Sequence, residues 1–341
     1  MKFFNKIQSR LLGAIMLIAP AVAGLSSCGF VYDDLAPCPE GLKLRFIYDY
    51  NMEFANAFPS QVHCLTVYVY DENGKYVTTL TETSSEKLSD ENYRMTVDLP
   101  EGKYKVVAYG GMQCDASSYH FLQTPAAGAD ITSLGVALNQ DIMQRPVGTE
   151  LHSLFYGKIF DVEVKKETMA YDEYTVPMMK DTNNLRVILQ ELNGDPVAGT
   201  DFNWAVIDDN TRMNWENDVV PEGNFTYLPW TSGTASTGLQ PDGSEQKVAF
   251  AEFSFGRLVT SNSPTLHITR CSDGSDVVNI PLINYLALMK SESNYKMGTQ
   301  EYLDRESRWT LIFFLDKHWK WITVQIVVND WVVRVNNPEL S

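Results

Sequence analysis

The chain has 341 residues, 43 acidic against 27 basic, and a formal charge of −16 at neutral pH. So acidic a body lacks the basic stripes that hold nucleic acid and the polybasic patches that hold anionic lipid. High negative charge suits a soluble, non-aggregating body outside the cytoplasm, and the length is enough for two ordinary domains.

The chain begins as an export signal. Lys2, Lys6 and Arg10 form a basic head, Leu11 to Ala23 an apolar run, and small residues follow. The run is shorter than the roughly 20 apolar residues a membrane span needs. Leu25-Ser26-Ser27-Cys28 resembles the bacterial lipobox. That resemblance implies acylation of the Cys28 thiol, cleavage before it, and acylation of the new amine. Residues 1–27 are then a lipoprotein signal peptide and residues 28–40 a lipidated tether. Two or three acyl chains hold firmly, since each buried CH₂ is worth about 0.8 kcal/mol. Three basic residues leave with the signal, so the remaining 314 residues carry a charge of −19. Asp33-Asp34 bears a weak resemblance to signals that send lipoproteins to the outer leaflet.

With Cys28 acylated, four cysteines remain: Cys38, Cys64, Cys114 and Cys271. No CxxC or HxxxH accompanies them, so no zinc pattern is present. Disulfides are allowed outside the cytoplasm. Cys38, Cys64 and Cys114 are the candidates, with at most one bridge among them, and sequence does not choose the pairing.

Strands follow. LKLRFIYDY (42–50) alternates apolar and polar residues, the period of a half-buried strand. CLTVYVYDENGKYVTTLTE (64–82) predicts a hairpin, with Asn73-Gly74 supplying positive φ angles at the turn. YRMTVDLPEGKYKVVAYGG (93–111) predicts a second hairpin around Pro100-Glu101-Gly102, and LFYGKIFDVEVKK (154–166) another strand. Residues 131–142 fit a short helix or a strand equally well. VPMMK leaves one strand, the turn cluster Asp181-Thr182-Asn183-Asn184 marks a seam, and LRVILQEL starts a new alternating strand, giving domains at 41–180 and 181–341.

The second half predicts strands at 201–209, 248–259, 265–271, 276–282, 309–315 and 321–336, with helix at INYLALMKS and QEYLDRE. Residues 229–247, rich in Thr, Ser, Gly and Pro, read as an exposed loop. All seven tryptophans lie here. Trp204, Trp309 and Trp331 sit in strand patterns and read as core; Trp215, Trp230 and Trp319 fall in less regular sequence, which leaves room for exposure. Short strands with turns every ten or so residues fit an all-β chain of two antiparallel β-sandwich domains.

Motifs of chemistry are missing. There is no HExxH, no GxSxG and no phosphate-binding glycine loop. Asp273-Gly274-Ser275-Asp276 reads as a hairpin tip rather than a calcium loop, because EF-hand spacing is absent. Carboxylates are plentiful, but no pair is singled out.

Several stretches carry a family resemblance. They are Asp33-Asp34, Cys38-Pro39-x-Gly41, the block Tyr48-Asp49-Tyr50-Asn51-Met52 and the Asp71-x-Asn73-Gly74 turn, followed by LPEGKYKVVAYGG (99–111), TVPMMKDTNNLRVIL (175–189) and WITVQIVVNDWVV (321–333). Together they resemble the FimB-type fimbrial anchor lipoproteins, the minor-fimbrium anchor family of Bacteroidales. The resemblance implies two tandem transthyretin-like β-sandwich domains and attachment to the outer membrane at the base of a type V-like pilus. It also implies neither enzyme activity nor cofactor. The implied partners are a fimbrial stalk (major shaft) subunit and the membrane itself.

In related stalk subunits a trypsin-like protease removes the lipidated segment with the first strand, opening a groove for another subunit's strand. An anchor must keep its lipid, hence its first strand, and engage the fibre elsewhere. The candidate strand-exchange region contains Val327, Val328, Trp331, Val332, Val333 and Val335; its plainer reading is a last core strand. The alternative function is a surface lipoprotein that captures glycan through exposed tryptophans.

Overall fold

The computed structural model describes residues 41–112, 117–143, 150–165, 171–239, 243, 245–288, 290, 296–328 and 331–336. The first half contributes β1 (Gly41–Ile47), β2 (Leu65–Asp71), β3 (Tyr76–Glu82), β4 (Met95–Asp98), β5 (Gly102–Gly110), β6 (Tyr119–Phe121), β7 (Gly135–Leu138), β8 (Phe155–Val164) and β9 (Asp172–Lys180). Seven of these form one sheet in the order β3-β2-β5-β8-β9-β1-β4. The backbone ladder between β8 and β9 runs over Phe155–Gly157 against Met178–Lys180 among the described residues; farther along, the Tyr174 hydroxyl bridges to the Glu163 backbone. The sheet closes over a core in which Leu42, Leu44 and Phe46 of β1 and Val176 of β9 pack with Leu65, Val67 and Val69 of β2 and Val106 of β5.

The second half contributes β10 (Asn183–Glu191), β11 (Phe202–Asp208), β12 (Arg212–Asn214), β13 (Phe225–Tyr227), β14 (Thr231–Leu239), β15 (Glu245–Phe255), β16 (Thr265–Arg270), β17 (Asp276–Pro281), β18 (Arg308–Leu315), β19 (Trp321–Val328) and β20 (Trp331–Asn336). A six-stranded sheet, β14-β15-β10-β18-β19-β20, faces a four-stranded one, β13-β11-β16-β17. Leu185, Val187, Phe253 and Phe313 from the first sheet meet Trp204, Val206, Leu266 and Ile268 from the second. The chain is thus a β protein built from sandwiches.

The halves share a core. β2 is buried on both faces: Leu65, Val67 and Val69 point into the first sandwich, while Tyr68 and Tyr70 join the cluster of the second half. β5 does the same with Val106 and Ala108 on one face and Val107 and Tyr109 on the other. β12 pairs with β7, so a second-half strand completes a three-stranded sheet with first-half partners.

Several local expectations change. β4 and β5 do not form a hairpin. β4 pairs with β1, and Pro100-Glu101 carries the chain across the sandwich to β5, between β2 and β8. The Asn73-Gly74 turn is present, but only Gly74 has a positive φ, +76°. Asp71 Oδ1 accepts from Asn73 N and Lys75 N, which leaves a single left-handed residue and a bulge. The stretch expected as a loop at 229–247 contains β14 and the start of β15, a hairpin of the six-stranded sheet. β14 is an exposed edge strand, where threonine suits the pleat without burying apolar surface. Among the described residues two strand pairs are parallel, β1 with β9 and β10 with β18. Residues 131–142 hold a 3₁₀ turn, β7 and the start of a helix. The helices at Leu282–Ala287 and Thr299–Arg305 lie where the pattern predicts them.

Candidate functional site

The amino-terminal end is defined by β1. It is hydrogen-bonded on both sides, to β9 and β4, and buries Leu42, Leu44 and Phe46. Cys28, Cys38 and Cys114 lie outside the described residues. Cys64 is disulfide-bonded; its sulfur lies 3.0 Å from the Met112 carbonyl oxygen, a close contact, since a bridged sulfur has no proton to donate. Cys271 is exposed and free. No Lys or Arg occurs between Cys28 and Leu42, nor between Phe46 and Gly74. Lys43 and Arg45 sit inside the doubly paired β1.

At the other end, β19 buries Trp321, Val324 and Ile326 and is a core strand. β20 pairs with it in antiparallel register, Val327 opposite Val332 and Val324 opposite Val335. Among the described residues no strand lies on the far side of β20, which is an open edge. The structure therefore divides the candidate strand-exchange region. Val327 and Val328 end a core strand, while Trp331, Val332, Val333 and Val335 lie in an edge strand. Val327 is half-buried on the outer face.

Between the ends lies a seam of buried polar groups. Asp181 follows β9 and is fully buried; its Oδ1 accepts from Asn217 Nδ2 at 2.8 Å. Arg257 donates to both Asp304 carboxylate oxygens at 2.9 Å, and Gln300 adds a further donor to Asp304. Burial pushes the Asp181 pKa up to about 7, against the pull of Arg257 and Asn217. Burial also brings the Lys180 ammonium down to about 8. The Tyr48–Met52 block forms a clasp on this seam. Asn51 Nδ2 donates to the Tyr48 and Ala55 carbonyls, and the Arg305 guanidinium lies 4.0 Å from the Tyr50 ring centre and 4.7 Å from that of Phe54. Phe54 is 60% exposed at φ +53°, a left-handed geometry uncommon for a bulky residue. Asp181, Asn217, Arg257, Gln300 and Asp304 all belong to the second half, where packed polar contacts hold them.

The outer face of the six-stranded sheet carries a cleft of about 510 Å³ lined by Trp230, Glu252, Arg186, Asn184, Arg308 and Thr310, with Glu150 and Val327 at its margins. Sequence patterning missed it, although the polar alternation of Asn184 and Arg186 in β10 was the available signal. The three tryptophans in less regular sequence are all half-buried. Trp215 packs on Phe160, Trp319 on Phe202 and Arg270, and Trp230 is half-buried at the cleft. At the hairpin tip, Ser275 donates from N and Oγ to Asp273 Oδ1. Among the described residues no group of three or more His, Cys, Asp or Glu is placed to hold a metal.

Comparison with solved structures finds several relatives. A candidate adhesin from Bacteroides thetaiotaomicron is 48% identical, covering 89% of this chain and 100% of its own, with a TM-score of 0.82. A protein described as a candidate polysaccharide-binding protein, also from B. thetaiotaomicron, is 31% identical over 87% of this chain and 98% of its own, with a TM-score of 0.73. The fimbrial anchor protein Mfa2 from Porphyromonas gingivalis shares the fold at 17% identity and a TM-score of 0.64, over 87% of this chain and 99% of its own. The curated proteins contain no match. Residues 35–337 match the family described as fimbrillin-A associated anchor proteins Mfa1 and Mfa2. The chain belongs to that fimbrial anchor family.

Proposed function

We propose that this chain anchors a fimbria to the outer membrane through acylated Cys28, and that it limits the fibre by refusing a further donor strand. The match to the anchor family over residues 35–337 carries this reading. A subunit that stays lipidated must keep β1. The absence of basic residues from 28–42 and 46–74 supports that, because a protease that cuts after Lys or Arg finds its only early targets inside a paired strand. With β1 in place the first groove is closed. The contact with the first stalk subunit then falls to the carboxyl-terminal edge, where β20 has backbone groups that no described strand pairs. Two transthyretin-like domains meeting near residue 180, a surface-exposed position and a structural rather than catalytic role complete the proposal. Electron microscopy of cells lacking this gene tests it. Long fibres shed into the medium are expected; short fibres still attached to the cell would refute it.

A second reading, glycan capture at the cell surface, is favoured by two observations. A half-buried tryptophan, Trp230, lines a polar cleft, and a 31%-identical relative is described as a candidate polysaccharide-binding protein.

A further inference from the structure

We propose that the cleft on the outer face of the six-stranded sheet binds a neutral oligosaccharide, with Trp230 as its stacking platform. The inference rests on the glycan reading and gives that reading a site. Its floor is a row of cross-strand neighbours. Trp230 N donates to the Glu252 carbonyl at 2.9 Å; Glu252 lies opposite Arg186, Arg186 opposite Thr310, and Thr310 opposite Val327. Three inter-strand steps separate Glu252 from Val327, roughly 14 Å at the usual spacing. That length suits a short chain of sugar rings, and about 510 Å³ lies within the range of ligand clefts.

The chemistry is matched to hydroxyl groups. Arg186 donates to Glu252 Oε1 from Nε and Nη2 at 3.0 and 2.8 Å, which fixes both planes. Asn184 Nδ2 donates to Glu150 Oε1 at 2.8 Å, fixing a second pair. Among the described residues the Arg308 guanidinium and the Trp230 indole N–H make no hydrogen bond. The cleft therefore offers free donors beside carboxylate oxygens with spare lone pairs. Two arginines face two glutamates, so the local charge is balanced on a chain of net charge −16. An ionic ligand of either sign gains no net attraction there, whereas a neutral polyol uses donors and acceptors together. The indole adds an apolar face for a sugar ring.

The test uses the full-length lipoprotein in detergent micelles on an array of neutral and acidic glucose, mannose and N-acetylglucosamine oligosaccharides, then calorimetry with the strongest neutral one. The expected result is binding that weakens roughly tenfold or more in Trp230→Ala and in Arg308→Ala. Thr310→Trp, which fills the groove, should abolish it. If Trp230→Ala melts early, the other two variants decide. No binding by the wild type overturns both the site and the glycan reading. Wild-type binding that survives all three substitutions overturns the site alone. Binding only to acidic sugars overturns the neutral class. Fibre release by these variants, with glycan binding unchanged, makes the face a protein contact and overturns the proposal.

Discussion

Replacing Asp181 by asparagine should stabilise the protein, and more so as the pH rises. The Asp181 carboxyl is fully buried at the junction of β9 and β10, with one oxygen bonded to Asn217 and the other without a hydrogen-bond partner. Arg257 is near, but both arms of its fork are engaged by Asp304. Burial is the largest influence and pushes the pKa from 3.8 to about 7; Arg257 and Asn217 oppose it and Asp304 reinforces it. A carboxyl with a raised folded pKa holds its proton more tightly folded than unfolded. Its contribution is therefore most favourable below about pH 4 and is lost as the pH rises through 7. At 1.36 kcal/mol per pH unit the full loss is at most about 4 kcal/mol. The amide keeps an acceptor for Asn217 and carries no charge. Asp181→Asn should gain about 2–4 kcal/mol at pH 8 and about 1–2 kcal/mol at pH 5, relative to wild type. Urea unfolding at pH 5, 6.5 and 8 reads the difference. A gap that does not widen with pH, or a variant less stable throughout, would show that the carboxylate is held as an ion partner of Arg257, and the argument would fail.

Three further outcomes follow from the fold. Trypsin acting on the native protein should not release the amino-terminal segment, because its first targets, Lys43 and Arg45, lie in β1 between two partner strands and the next is Lys75; rapid appearance of a fragment starting at Phe46 by mass spectrometry would contradict this. Leu44→Ala removes a side chain with no exposed surface from the centre of β1 and should cost about 2–5 kcal/mol in chemical unfolding; a loss under 1 kcal/mol would mean β1 is not integral to the first core. Arg305→Ala removes the cation between Tyr50 and Phe54 and should speed amide hydrogen exchange across residues 50–57 at least several-fold while leaving β18 unchanged; unchanged exchange in that loop would remove its role as a clasp.

The strands were largely legible because alternation and β-branched content mark them directly, as in β10 and β18, whose buried residues recur at every second position. Their partners were not. Alternation says that β1 and β10 are strands but not that each takes a parallel neighbour from far along the chain. β14 was hidden because an edge strand of Thr, Ser and Gly has no apolar face to show. β2 carried a truer signal than a half-buried strand suggests: its tyrosines alternate with aliphatics because each face enters a different core. The Tyr48–Met52 block stood out by resemblance, and the structure gives it a mechanical place against Arg305. The seam of Asp181, Asn217, Arg257 and Asp304 joins residues distant in sequence, and only the charged Lys180-Asp181 pair after an apolar strand hinted at it. The cleft was hard to read for the same reason, since its floor is assembled across four strands and only the polar alternation of Asn184 and Arg186 pointed to it.

The most direct test of the anchoring claim is the fraction of fibres found in the medium when Cys28 is replaced by alanine. The account predicts that most fibres leave the cell, because the acylated residue is what fastens them. Fibres that remain cell-bound at normal length in the Cys28→Ala strain would contradict it.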